Sequence, residues 1–221
     1  MSSWAAPSVG WRAPEVEEEL PSLRLLLADV EVGRRGSLTG PSPPDIEGRL
    51  RERSSRFRGA RAVSIRREPV PAAYRVFFRH IGLDPDVVRT PIESAVLERM
   101  LRGGFLSGGL LADVLLIALT DTGVPVWALA SDSLSGQPGI RASREGERLG
   151  SSREGELLPA GRLVVADSRN ALALLFGEPA RAHVPRGATR RVTLFAVQVA
   201  GVPTLFAEEA LWNAASALEA E

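Results

Sequence analysis

The chain has 221 residues and carries 27 basic and 27 acidic side chains, so it has no formal net charge. All the basic residues are arginine, and both lysine and cysteine are absent, which excludes lysine Schiff bases, thiol nucleophiles, disulfides and cysteine-ligated metals. His80 and His183 are the only histidines, too few for a histidine metal cluster, and we expect neither a metal nor a cofactor.

Hydrophobic residues make up 44% of the chain, an ordinary share for a globular protein with a sizeable core. The richest apolar run covers residues 110–119, whereas a helix that crosses a membrane needs roughly 20 apolar residues. No basic cluster followed by an apolar stretch marks a signal peptide. The sequence therefore predicts a cytoplasmic protein with no membrane partner.

The zero net charge hides an asymmetry along the chain. Residues 34–89 hold 13 arginines and 6 acids, a local net charge of +7, and the remainder carries −7. Such a segment is typical of a surface that binds a polyanion. It is equally typical of a solvated helix face with internal ion pairs, and both interpretations stay open.

The first half of the sequence predicts a strand and then helices. Residues 1–20 contain prolines and an acidic run and are expected to form a flexible leader, with one domain over residues 21–221. Residues 23–32 favour a strand, and residues 45–58 a charged helix with a sparse apolar stripe. Residues 72–81 predict a second helix, which ends at the glycine that follows.

A third helix is predicted to begin after Thr90. Thr90 is a suitable cap, Pro91 suits the first helical position, and Glu93 stands at the spacing of a capping box. Apolar residues recur at helical spacing until Gly103, which ends the helix.

The second half alternates apolar runs with turns rich in glycine and charge. Its predicted strands are 124–130, 162–166, 171–176 and 191–199, and a closing helix covers 207–218. The order indicates an α+β domain with helices in the first half, a mixed sheet in the second and a C-terminal helix.

The strongest candidate site residues are carboxylates in apolar surroundings. Asp113 interrupts the run at 110–119, and Asp167 follows a strand. An ionised carboxylate is costly to bury unpaired, so each should cap a turn, pair with an arginine or face a pocket. Trp127 belongs to the core or stacks on a base or an aromatic amino acid.

The segment at residues 139–147 joins two arginines and two glutamates around a turn, among them Arg141 and Glu147. A salt-bridged hairpin is favoured over a ligand clamp. His80 is expected to be a packed or surface residue and His183 a surface residue, neither a catalytic base. The sequence has no serine-hydrolase, zinc-protease or dinucleotide motif.

Several of these segments follow one another in a recognisable order. They are Ala112-Asp113, Gly123-Val124-Pro125, Arg141 with Glu145-Gly146-Glu147, and Leu163-Val164-Val165-Ala166-Asp167. In this order the sequence resembles the B3/B4 module of the β subunit of bacterial phenylalanyl-tRNA synthetase, best over residues 110–167. Ala73-Tyr74-Arg75, followed by Gly82 and Asp84-Pro85, is similar to stand-alone members of that family.

The resemblance implies an α/β module that binds tRNA and hydrolyses mischarged tyrosyl-tRNA. Three positions depart from the family pattern. Leu116 stands where the family has asparagine, Trp127 where it has histidine, and Ala130 where it has aspartate. The replacements remove polar groups that would orient water or substrate, so the resemblance supports the fold more than the editing chemistry.

The leading hypothesis is thus a module that binds RNA, in particular tRNA or its aminoacyl end. Arg49, Arg53, Arg56 and Arg58 are the predicted phosphate contacts, since a guanidinium binds phosphate bidentately. The predicted pocket residues are Asp113, Trp127, Arg141, Glu147 and Asp167. The alternatives are a trans-editing aminoacyl-tRNA deacylase, and a domain that binds a small molecule or a protein. No catalytic residue is assigned.

Overall fold

The computed structural model describes residues 6–33, 36–150 and 154–220. The helices are α1 (Pro14–Glu19), α2 (Pro44–Arg56), α3 (Ala60–Ser64), α4 (Pro69–His80), α5 (Pro91–Arg102), α6 (Leu110–Thr122) and α7 (Thr204–Glu219). The strands are β1 (Ser8–Val9), β2 (Trp11–Arg12), β3 (Arg24–Glu31), β4 (Val126–Ala130), β5 (Gly139–Ala142), β6 (Leu163–Ala166), β7 (Ala171–Leu174) and β8 (Arg191–Gln198). This confirms the predicted α+β class, with helices in the first half and a helix at the end.

The strands form two four-stranded sheets. The first has the order β1-β3-β8-β4 with antiparallel neighbours throughout. The second has the order β2-β5-β6-β7, in which β2 and β5 run parallel and the other pairs antiparallel. β8 lies between β3 and β4 and is buried at all but its first position, which explains why most of its residues are apolar.

The helices cover the first sheet and one another. α7 packs on β3 and β8, α6 packs on α7 and β4, and α2 packs on α6. α6 lies between these neighbours, and most of its fully buried apolar side chains belong to the main core. Among the described residues, no helix has both the length and the apolar character needed to cross a bilayer.

α5 begins and ends as its sequence predicts. The Thr90 hydroxyl donates to Glu93 at 2.7 Å, and the Thr90 backbone N–H donates to the same carboxylate at 3.3 Å. Pro91 occupies the first turn, and Gly103 closes the helix in the left-handed region at φ 77°. The Thr90 cap is completely buried and therefore fixes where α5 starts.

The N-terminal segment differs from the flexible leader predicted for residues 1–20. β1 pairs with β3 of the first sheet, and β2 pairs with β5 of the second. Gly10 stands between β1 and β2, where a side chain would collide with the carbonyl of Pro138 at 2.4 Å. Residues 8–19 are therefore folded against both sheets, while residues 1–5 lie outside the described residues.

Candidate functional site

The candidate site is a cavity of about 540 Å³ beside the edge strand β4. The helices α5 and α6, the strand β4 and the loop over residues 176–185 line it. Leu111, Leu115 and Leu116 project from α6, and Trp127 projects from β4. These side chains make most of the wall apolar, and its volume falls in the range of small-molecule pockets.

Trp127 anchors the aromatic part of this wall. It stacks on Phe195, its cross-strand partner in β8, with ring centroids 5.4 Å apart and an angle of 16° between the planes. Phe176 approaches Trp127 to 6.1 Å and Tyr74 to 5.7 Å. The sequence predicted Trp127 either as core or as a stacking platform, and its position combines a core contact with exposure to the cavity.

Phe176 holds an uncommon backbone conformation. At φ 67° it is the one residue other than glycine with a positive φ among those the structure describes. Such a conformation is strained for an aromatic residue and persists only where the surroundings hold it. Ring contacts with Tyr74, Phe77, Phe78 and Trp127 supply that restraint and direct Phe176 into the cavity wall.

Two charged side chains of opposite sign line the cavity, Arg89 and Glu178. Arg89 follows α4 in the loop that leads to α5, and no described acid forms an ion pair with it. The Glu178 residue as a whole is exposed, yet the surrounding protein partly desolvates its carboxyl group and raises the pKa above the ordinary value. Sequence reasoning missed both residues, because each lies in a loop without a recognisable motif.

Asp113 is buried in the first turn of α6 and does not line this cavity. Its carboxylate accepts hydrogen bonds from the hydroxyls of Ser42 at 2.6 Å and Ser107 at 2.5 Å, and from the Gly108 backbone N–H at 2.8 Å. These donors satisfy the buried charge and fasten two loops to the start of α6. Of the three roles predicted for Asp113, the structure therefore shows the first, the capping of a turn.

Arg141 and Glu147 contact each other rather than the cavity. The guanidinium donates to both carboxylate oxygens, at 2.8 and 2.5 Å, and both side chains are nearly buried. The hydrogen bonds from Arg141 lower the pKa of Glu147, although burial opposes the effect. The residues form the predicted salt bridge in the turn after β5, and this bridge leaves neither group available to a ligand.

Asp167 closes the turn after β6. Its carboxylate accepts the backbone N–H groups of Ser135, Arg169 and Asn170 at 2.7 to 2.8 Å. Burial by itself raises the pKa of Asp167, but these hydrogen bonds outweigh it and the net pKa is lowered. Of the five residues predicted for one pocket, only Trp127 therefore lines the cavity.

His183 lies in the loop after β7 and is 5% exposed. Its Nδ1 atom is 3.0 Å from the Ser133 hydroxyl, and Nε2 is buried with no hydrogen-bond partner among the described residues. Burial lowers the pKa of His183, and the nearby Asp167 carboxylate only partly opposes this. The surface position predicted for His183 is therefore wrong, because its loop is packed against the fold, while His80 is exposed at the end of α4.

Three of the four arginines predicted to bind phosphate form ion pairs. Arg49 and Arg53 both approach Asp121 of α6, where Arg53 donates to a carboxylate oxygen at 3.2 Å. Arg56 pairs with Glu52 one turn earlier at 2.6 Å, with both side chains about half exposed. Arg58 is exposed and forms no ion pair within the described part of the chain. Much of the positive charge of this segment is thus neutralised locally.

Comparisons with known proteins identify no relative of this chain, so a proposal about its function depends mainly on the geometry of the site. No protein-family model matches the chain, and no curated protein matches it. The likeness to the B3/B4 module stays a prediction from the sequence. Within residues 6–33, 36–150 and 154–220, no three histidine, aspartate or glutamate side chains are grouped to hold a metal ion.

Proposed function

We propose that this protein binds the aminoacyl end of tRNA, the function that its resemblance to the B3/B4 module implies. The observation that carries the proposal is the cavity of about 540 Å³ with aliphatic walls and an aromatic end at Trp127 and Phe176. A cavity of this size and polarity suits an apolar or aromatic amino acid side chain.

The charges at the cavity fit the polar part of the same ligand. An aminoacyl ester carries a free α-ammonium group, and Glu178 supplies a carboxylate that accepts its hydrogen bonds. Arg89 supplies a guanidinium for the carbonyl or phosphate oxygens of the terminal nucleotide. A ligand with an apolar side chain, an ammonium and a phosphate matches this combination better than a purely apolar molecule.

Contacts to the body of the RNA are assigned to the exposed end of α2 and the residues after it. Arg58 has no ion pair within the described ranges, and the Arg56 pair is half exposed, so both guanidinium groups can exchange to phosphate. Arg49 and Arg53 are held by Asp121 and contribute less. The expected RNA affinity is therefore moderate and sensitive to salt.

The proposal is tested by comparing a tRNA that carries an amide-linked phenylalanyl group with the same tRNA uncharged. We expect the charged form to bind at least tenfold more tightly, because only it fills the cavity. Ala112 lines the cavity from the exposed side of α6, so Ala112→Leu should abolish the difference without disturbing the core. Ala60→Leu is the matched control, since Ala60 is also an exposed helical alanine but lies away from the cavity. Equal affinity of the two tRNAs would refute the proposal.

Deacylation of mischarged tRNA is a second candidate function, and the raised pKa of Glu178 favours it. A water oxygen would attack the ester carbonyl carbon while the Glu178 carboxylate takes the water proton. The bond from that carbon to the terminal ribose oxygen then breaks, and Glu178 gives the proton to this oxygen, which becomes a hydroxyl group.

This candidate is tested by the rate of tyrosyl-tRNA deacylation. A general base of this kind contributes roughly 10²- to 10⁴-fold, so Glu178→Gln should reduce the rate by at least 100-fold while tRNA binding persists. Glu208→Gln, on the C-terminal helix, is the control. A wild-type rate equal to spontaneous hydrolysis, with binding intact, would leave a binding module without this activity.

A further inference from the structure

A second cavity, of about 470 Å³, adjoins the first. Arg89 and Phe176 line both cavities, so the two spaces lie next to each other at these side chains. The second cavity extends from there toward the end of α4 and the start of β6, where His80 and Arg162 line it. We refer to the two adjoining cavities together as the groove, and its two halves differ in chemistry.

The second half of the groove has a net positive charge. Its arginines are Arg89 and Arg162, its single acid is Glu19, and His80 also lines it. Within the described part of the chain, neither Arg89 nor Arg162 forms an ion pair, whereas Arg75 and Arg141 nearby in the fold are saturated by carboxylates. Two guanidinium groups with free donors beside a cavity are suited to a phosphate, which accepts their hydrogen bonds bidentately.

We propose that the second cavity binds a phosphate group of the ligand whose aminoacyl part lies in the first cavity. The proposal rests on the proposed function, because it assigns the two halves of the groove to the two ends of one terminal nucleotide. In an aminoacyl nucleotide a single ribose separates the ester from the 5′-phosphate. That ribose would lie beside Phe176 and Arg89, which line both cavities. Arg162 lines only the second cavity and is the phosphate contact specific to it.

The experiment uses two non-hydrolysable analogues, 3′-phenylalanylamino-3′-deoxyadenosine and its 5′-phosphate. Calorimetry on the full chain should give at least tenfold tighter binding of the phosphorylated analogue at low salt. Arg162→Gln should reduce this gain below threefold. The affinity of this variant for the phosphate-free analogue should equal that of wild type, and that result also shows that the variant is folded. Arg162→Lys should keep part of the gain, because it retains the charge and loses the bidentate geometry.

Arg102→Gln is the matched control, since Arg102 is exposed on α5 and lines neither cavity. It should keep the full gain from the phosphate. Equal binding of the two analogues by wild type would overturn this proposal and leave the proposed function standing. A gain that persists in Arg162→Gln would place the phosphate elsewhere and overturn it as well. Failure of both analogues to bind would overturn both proposals.

Discussion

Arg75 and Glu93 form an ion pair that is nearly withdrawn from solvent. The Nη1 atom of Arg75 lies 2.6 Å from Oε1 of Glu93, and the two side chains are 10% and 11% exposed. Arg75 also contacts Asp86 at 2.6 Å, which raises the pKa of Arg75 and lowers that of Asp86. Since Glu93 is at the same time the capping-box residue of α5, this one carboxylate joins α4, α5 and the loop that carries Arg89.

Removal of Arg75 should therefore be strongly destabilising. Arg75→Met leaves Glu93 buried without its counter-ion, and breaking such a pair costs about 3–5 kcal/mol of unfolding free energy. Arg102→Met removes an exposed arginine paired with Glu98 and should cost less than about 1 kcal/mol. Urea denaturation of both variants measures the difference, and equal losses would contradict the role given to Arg75.

The Asp113 carboxylate should matter for stability and little for ligand binding. Asp113→Asn replaces an ionised acceptor of three hydrogen bonds, and hydrogen bonds to charged groups contribute about 1.5–3 kcal/mol. The control is Asp132→Asn, whose partner Arg191 is as exposed as Asp132 itself, and it should be nearly neutral. Analogue affinity should stay within threefold of wild type in the folded Asp113→Asn protein. A tenfold loss there would instead indicate that Asp113 contacts the ligand.

Stability should fall between neutral and mildly acidic pH because of His183. Burial lowers the folded-state pKa of this residue, so the unfolded chain binds the proton more readily. The contribution is complete above the unfolded pKa of about 6.5 and is lost as the pH falls from there toward the lowered folded value. Denaturation of wild type between pH 7.5 and 5.5 should show this loss, and His183→Gln should flatten it.

His80→Gln is the internal control, because His80 is exposed and is the only other histidine. The stability loss should persist in that variant. The ring of His183 faces Ser133 and the Asp167 carboxylate, and NMR titration of its imidazole should give a pKa below 6.5. A titration at or above that value would contradict the burial argument.

Local patterns predicted most of the elements, since helix caps and apolar periodicity are local signals. The capping box at Thr90 and Glu93 and the apolar run of β8 are examples. The strands β1 and β2 were missed, because each has two residues and derives its structure from partners far along the chain. Their sequence, with prolines and acids around it, is also typical of a loose terminus.

The candidate site was harder to predict than the fold. Buried carboxylates such as Asp113 and Asp167 stood out in the sequence, but both are satisfied by turn donors. The residues that line the groove, among them Arg89, Phe176 and Glu178, come from separate loops and meet only in the folded chain. Exposed loop residues follow no periodic pattern, so a single sequence does not indicate that they lie close together in the fold.

The pairing of β3 with β8 has a consequence for synthesis on the ribosome. Residues 24–31 emerge early, yet their main partner is residues 191–198. At roughly 5–20 residues per second, the leucines of β3 wait on the order of 10 s for that partner. An unpaired apolar strand is a template for aggregation during this interval. The main hydrogen-bonding partner of β3 is therefore missing until β8 has been translated.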